Sequence, residues 1–155
     1  MRRGARAVIR VQRETFDVGV ELAALTAGRT DIGALASFIG LVRDHADAPI
    51  TAMTLEHYPG MTERKLAEIE AEAGARWPLQ ASLIVHRFGR MLPGEPIVLV
   101  ATASPHRAAA LEACAFLIDW LKTKAPFWKL EETSEARRWV EARSADDQAA
   151  ARWQR

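Results

Sequence analysis

Two short runs concentrate the residue types that could do chemistry, and a helix-forming stretch separates them. The first is Ser104-Pro105-His106-Arg107. Ser104 suits a helix cap and Pro105 a first turn, so free backbone N–H groups and the positive end of the dipole would lie beside His106 and Arg107. Macrodipole logic favours acids there, and a bound phosphate would offset the cost of two basic side chains. Exposed cations paired with a nearby acid would satisfy the same pattern. The second run holds Lys122 and Lys124, then Pro126-Phe127-Trp128-Lys129. Two aromatics beside three amines make a flat apolar surface edged by cations, suited to a planar heterocycle that carries negative charge. Ordinary core packing of Phe127 or Trp128 is the plainer alternative. Of the 21 basic residues 17 are Arg, and three of the four Lys fall within these eight positions. Arg stays protonated and grips anions as a planar fork, whereas a desolvated Lys amine can serve as base or nucleophile. The end of a helix also favours Lys through the macrodipole.

His106 and Lys122 stand about 24 Å apart along a continuous helix, at ~1.5 Å per residue. A single small ligand cannot touch both within one chain. If both contact one ligand, the head of the helix in one protomer meets the tail in another, which predicts an isologous dimer with two composite sites. Arg43, just past an apolar strand pattern and before a polar loop, fits an oxyanion or phosphate clamp and fits a surface ion pair equally. His45, His57 and His86 have no HxH, HxxxH or HExxH spacing, so no metal site is expected. Cys114, the single cysteine, falls on the apolar stripe of the helix and reads as inert core. Ser104 lacks a nucleophile-elbow context and reads as a cap.

These residues need elements to position them. Residues 7–12 have a short strand pattern, 17–27 a short helix ending at Gly28, and 33–43 the apolar character of a buried strand with a bulge or close approach at Gly40. Residues 44–49 form a polar loop whose composition suits mobility, and 51–58 alternate weakly as a strand. After a Pro59-Gly60 turn, Leu66, Ile69, Ala73 and Trp77 recur at spacings of three and four, marking one amphipathic helix. Residues 81–88 and 96–102 are β-rich runs joined through Pro93-Gly94, a hairpin or neighbouring pair. Ala108, Leu111, Ala115, Ile118 and Leu121 mark the buried stripe of the long helix, which Pro126 closes. The expected class is α+β, one domain over residues 1–155 with a mixed or antiparallel sheet and packed helices. No Gly-rich strand-to-helix fingerprint supports a doubly wound nucleotide fold.

Composition agrees. A chain of 155 residues, 49% hydrophobic and 26% charged, is one globular domain able to bury about 70% of its unfolded surface. A formal charge of +1 offers no field for nucleic acid or an acidic membrane. No apolar run approaches the roughly 18 residues of a membrane span, and the single cysteine fits a reducing compartment, so a cytoplasmic location is expected.

The chain resembles the large, catalytic subunit of molybdopterin synthase. The resemblance runs from about Phe38 to Trp153 through Gly40-Leu-Val-Arg43, Leu55-Glu-His-Tyr-Pro-Gly-Met-Thr-Glu63, His86-Arg-Phe-Gly89, Ser104-Pro-His-Arg107, Leu121-Lys-Thr-Lys-Ala-Pro-Phe-Trp-Lys129 and Arg138-Trp-Val-Glu-Ala-Arg143. It implies an α+β fold with a hammerhead-like subdomain, and a homodimer of large subunits within a heterotetramer. The implied partner is a small ubiquitin-like sulfur carrier ending in Gly-Gly, whose C-terminal thiocarboxylate threads into the large subunit. The implied substrate is cyclic pyranopterin monophosphate, which receives two sulfurs and becomes molybdopterin; no further cofactor is implied. Carried over by position, the basic pocket falls on Arg43, His106, Arg107, Lys122, Lys129 and Arg143, with Phe38 nearby. Leu41, Val42, Leu130 and Glu131 are implied as further substrate contacts. Lys122 and Lys129 are the implied catalytic pair, the first beside the thiocarboxylate and the second stabilising charge as the phosphate ring opens. Leu41 stands where many members carry Lys, and Lys124 and Leu130 where others carry Arg. The competing expectation is a non-enzymatic dimeric module that binds an anionic heterocycle or a partner's C-terminal tail in the same pocket.

Overall fold

The structure, a computed structural model, describes residues 5–140 and 144–154. Along the chain run β1 (Arg6–Gln12), α1 (Val18–Thr26), β2 (Ala34–Leu41), β3 (Ala52–His57), α2 (Met61–Arg76) and β4 (Ala81–Arg87). These are followed by β5 (Gly89–Met91), β6 (Pro96–Ser104), α3 (Arg107–Lys124), β7 (Phe127–Glu132), β8 (Arg137–Val140) and α4 (Ser144–Ala151). The strands form two sheets, a mixed one in the order β1-β4-β6-β2 and an antiparallel one in the order β5-β3-β7-β8. This is an α+β fold.

The first sheet is covered on both faces, so β4 and β6 are buried nearly throughout. Period-2 alternation divides their side chains. Leu83, Val85, Leu99 and Ala101 pack with Leu25 of α1, whereas Ile84, Val98 and Val100 enter the larger core with Leu66 and Ile69 of α2 and Phe116 and Leu117 of α3. Asp17 caps α1 by accepting from Val20 N at 2.9 Å. Leu92 to Glu95 closes as a turn, with Glu95 N donating to Leu92 O at 3.1 Å and Gly94 at φ +91°, the left-handed position that a type II turn requires.

Several local expectations shift. The strands at 81–87 and 96–104 are antiparallel neighbours, but the segment between them adds β5, which leaves for the second sheet. The β2 segment is bulged between Gly40 and Leu41, as expected, yet it is not buried: it is an edge strand, and Leu35, Phe38, Ile39 and Leu41 are exposed. Ser104 does not cap α3. It is the buried last residue of β6 and its hydroxyl donates to Pro78 O at 3.2 Å, while His106 is the N-cap residue, with no side-chain cap bond. Close approach of Gly33, whose Cβ would lie 2.0 Å from Pro105 O, holds the start of β2 against this turn. The buried side of α3 is Ala110, Ala113, Cys114, Phe116, Leu117 and Leu121, while Leu111 is 61% exposed. The helix is wedged between the β2–β6 face and two further helices, α2 and α4, so its covered arc is wider than one stripe and rotated from the expected one.

Candidate active site

A cleft of about 400 Å³, within the range of small-molecule sites, opens where the two sheets meet the end of α3. Leu41, Val42, Arg43 and His45 reach it from the end of β2 and the following loop, Lys122 from the last turn of α3, and Lys129 and Glu131 from β7. Strand alternation decides the β7 contribution. Phe127, Lys129 and Glu131 line the cleft opposite His57, Leu55 and Met53 of β3, so Trp128 and Leu130 fall on the other face and Trp128 is half exposed. Buried Thr62 fixes where β7 begins: its hydroxyl donates to Pro126 O at 3.1 Å and accepts from Tyr58 N at 3.0 Å.

Three cations, Arg43, Lys122 and Lys129, meet two carboxylates, Glu131 and Asp146, around this cleft. Arg43 and Lys129 make no ion pair among the described residues. The side-chain bond of Arg43 goes to the imidazole of His45 at 3.3 Å. Among the described residues the Arg43 side chain thus has a neutral-ring partner and no carboxylate partner.

His86 forms the floor. It is 3% exposed, its ring stacks on Phe127 at 3.8 Å between centroids, and its Nδ1 donates to Arg87 O at 2.8 Å. Burial, aided by the charge of Lys122, pushes its pKa down to about 3 against the bonding effect of that carbonyl. The folded protein thus holds a neutral ring where the unfolded chain takes a proton below about pH 6.5. Its contribution to stability is complete above that pH and shrinks as pH falls toward 3, by up to about 1.4 kcal/mol per pH unit. Urea unfolding at pH 7 and pH 4.5 should show this loss, and His86→Phe should have a shallower pH dependence; equal slopes would show that His86 does not couple folding to pH.

Not every expected residue comes to the cleft. Leu41, Val42, Arg43, Lys122, Lys129 and Glu131 do. Leu130 faces away. His106 and Arg107 are exposed at the opposite end of α3, and Phe38 is exposed on β2. Arg143 lies outside the described residues. Lys124 sits over the Trp120 ring at 4.5 Å, a packing role at the helix flank. Cys114 is buried, its thiol 3.8 Å from Val100 O, and burial raises its pKa to about 11, so it is not a nucleophile. His45, His57 and His86 do not gather with acids or cysteine into a ligand cluster among the described residues. Residue pattern had assigned no role to His45, His86 or Asp146. A histidine ending the apolar run Leu83-Ile84-Val85 was the one available signal for His86.

The fold and the cleft define a class: an α+β protein with a small-molecule-sized cleft lined by three cations. The profile of the MoaE protein family matches residues 11–124. The molybdopterin synthase catalytic subunit of Pseudomonas aeruginosa is 57% identical over 147 residues, 94% of this chain and 98% of that one. In structure, the molybdopterin biosynthesis MoaE protein of Burkholderia ambifaria superposes with a TM-score of 0.82 at 55% identity, covering 95% of this chain and 97% of that one. A chain from the complex of subunits 1 and 2 of the molybdopterin-converting factor of Helicobacter pylori shares the fold at a TM-score of 0.74 and 22% identity, with 88% and 92% covered. The chain belongs to the family of molybdopterin synthase catalytic subunits. Membership decides between enzyme and passive binding module in favour of the enzyme. No helix among the described residues is long and apolar enough to cross a membrane.

Proposed function

We propose that this subunit transfers sulfur from the C-terminal thiocarboxylate of a small Gly-Gly-ending carrier to cyclic pyranopterin monophosphate, forming the dithiolene of molybdopterin. The observation that carries the reading is the convergence of Arg43, Lys122 and Lys129 from three separate elements on one cleft. Arg43 holds the phosphate, Lys122 orients the thiocarboxylate and assists acyl and proton transfer, and Lys129 stabilises the charge that develops as the phosphate ring opens. The chain's one thiol is buried and held protonated, which supports a reading in which the sulfur comes from another protein. A catalytic subunit in the relatives and a two-subunit complex for the Helicobacter fold relative both support a partner.

The site is shared between two copies. His106 and Arg107 stand at the far end of the continuous helix α3 from Lys122, away from their own cleft, which supports a reading in which they serve the cleft of a neighbouring protomer. Edge strand β2 supplies the means. Its first residue, Ala34, pairs with Ser104 beside the head of α3, and its last, Leu41, lines the cleft. A second copy turned end for end along the exposed apolar β2 brings each head to the other's cleft, over a strand length of about 27 Å. Mixing His106→Ala and Lys122→Ala chains in equal amounts tests this. Half the dimers are then hybrids with one intact site of two, so activity should recover to about a quarter of wild type in single-turnover conversion of the pterin phosphate by thiocarboxylated carrier. Recovery no greater than that of either variant alone would refute the shared site.

A further inference from the structure

The geometry points to His45 as a further binding-site residue, one that positions the Arg43 guanidinium for a phosphate oxygen while leaving its charge uncancelled. The inference rests on the proposal that this cleft binds the cyclic phosphate. His45 lies in the loop between β2 and β3, partly buried, and lines the cleft beside Arg43. Its Nδ1 is 3.3 Å from an Arg43 Nη2. A guanidinium only donates, so Nδ1 is the accepting nitrogen and a neutral ring carries its proton on Nε2.

The choice of partner matters because acids are close in sequence. Asp44 and Asp47 share the loop, yet neither pairs with Arg43; the Asp44 carboxylate accepts instead from Ile50 N at 3.0 Å. Ala48 N donates to His45 O at 3.2 Å, so the loop closes on itself around His45. Its two ends are tied to neighbours, Val42 N donating to Glu95 O at 2.9 Å and Thr51 N to Glu132 O at 2.7 Å. His45 is therefore held by backbone on both sides while its ring restrains an otherwise exposed, rotamer-rich arginine. A carboxylate in this place would form an ion pair with Arg43 and compete with the phosphate. A neutral acceptor fixes the fork without that competition.

Calorimetric titration of the full chain with cyclic pyranopterin monophosphate separates these roles. Arg43→Ala should weaken binding most, by roughly 30-fold or more, and His45→Ala by about three- to tenfold. His45→Asn, whose Oδ1 accepts close to where Nδ1 does, should recover most of that loss. His45→Asp should bind more weakly than His45→Ala, because its carboxylate pairs with Arg43. With thiocarboxylated carrier present, the His45→Ala defect should appear in KM, with kcat within about twofold of wild type. Wild-type affinity in His45→Asp, or equal losses in His45→Ala and His45→Asn, would overturn the positioning role. Unchanged binding in Arg43→Ala would instead sink the phosphate reading of the cleft itself.

Discussion

Lys122→Ala is expected to lower the single-turnover rate of sulfur transfer by at least about 100-fold, the usual scale for losing a positioned acid–base or charge-stabilising group. Lys122 occupies the last turn of α3 and lines the cleft, and its backbone is held by a helix whose inner side is buried. Its own side chain is exposed, so the substitution removes no core packing and the melting temperature should stay within about 2 °C of wild type. Lys122→Arg sharpens the outcome. It keeps a cation but not an amine that can give up a proton, so a large defect there assigns proton transfer to Lys122, and a small one assigns charge alone. A near wild-type rate in Lys122→Ala would remove the residue from the chemistry.

Phe116→Ala should be the most damaging change to stability, at about 3–5 kcal/mol. Phe116 is fully buried on α3, and its ring lies 5.3 Å from that of Trp77, 4.5 Å from Trp120 and 5.7 Å from Trp153. The Arg76 guanidinium sits over it at 4.8 Å and donates to Trp153 O at 2.7 Å. This cluster joins α2, α3 and the segment after α4, so the lost ring leaves a cavity that none of three tethered elements can readily close. For a domain of this size the melting temperature should fall by roughly 10 °C or more. A drop under 3 °C would mean that the aromatic cluster does not hold α4 in place. Leu111→Ala, on the exposed side of the same helix, is the matched control and should change stability little.

Much of the local architecture was legible in residue pattern. A short helix within 17–27, Pro93-Gly94 as a turn, the α2 stripe through Leu66, Ile69 and Ala73, and a bulge near Gly40 are all dictated by backbone preferences acting over a few residues. Where expectation failed, a non-local neighbour was responsible. The β2 run reads as buried because it is apolar, but apolarity does not say what covers it, and within one chain an edge strand has no second partner. The phase of α3 was misjudged because α2 and α4 bury residues that a single-sided helix would expose. Ser104-Pro105 resembles a helix start, yet pairing of Ser104 with Ala34 extends β6 and delays the helix to Arg107.

The amino-acid sequence alone determined which residue types this protein has for chemistry, where along the chain they lie, and the family to which it belongs: three of four lysines in eight positions, one cysteine, and a His-Arg pair 16 residues upstream of the first of those lysines. Only the tertiary structure decided which of them meet. Arg43, Lys122 and Lys129 converge because β3 pairs with β7 in a register that turns Lys129 inward and Trp128 outward, while the end of β2 and the end of α3 pack against the same junction. That register is set by burial of one face across distant segments, an energy that no local window contains. The same packing made His86 a neutral floor and placed His45 on Arg43, two roles invisible until the chain is folded.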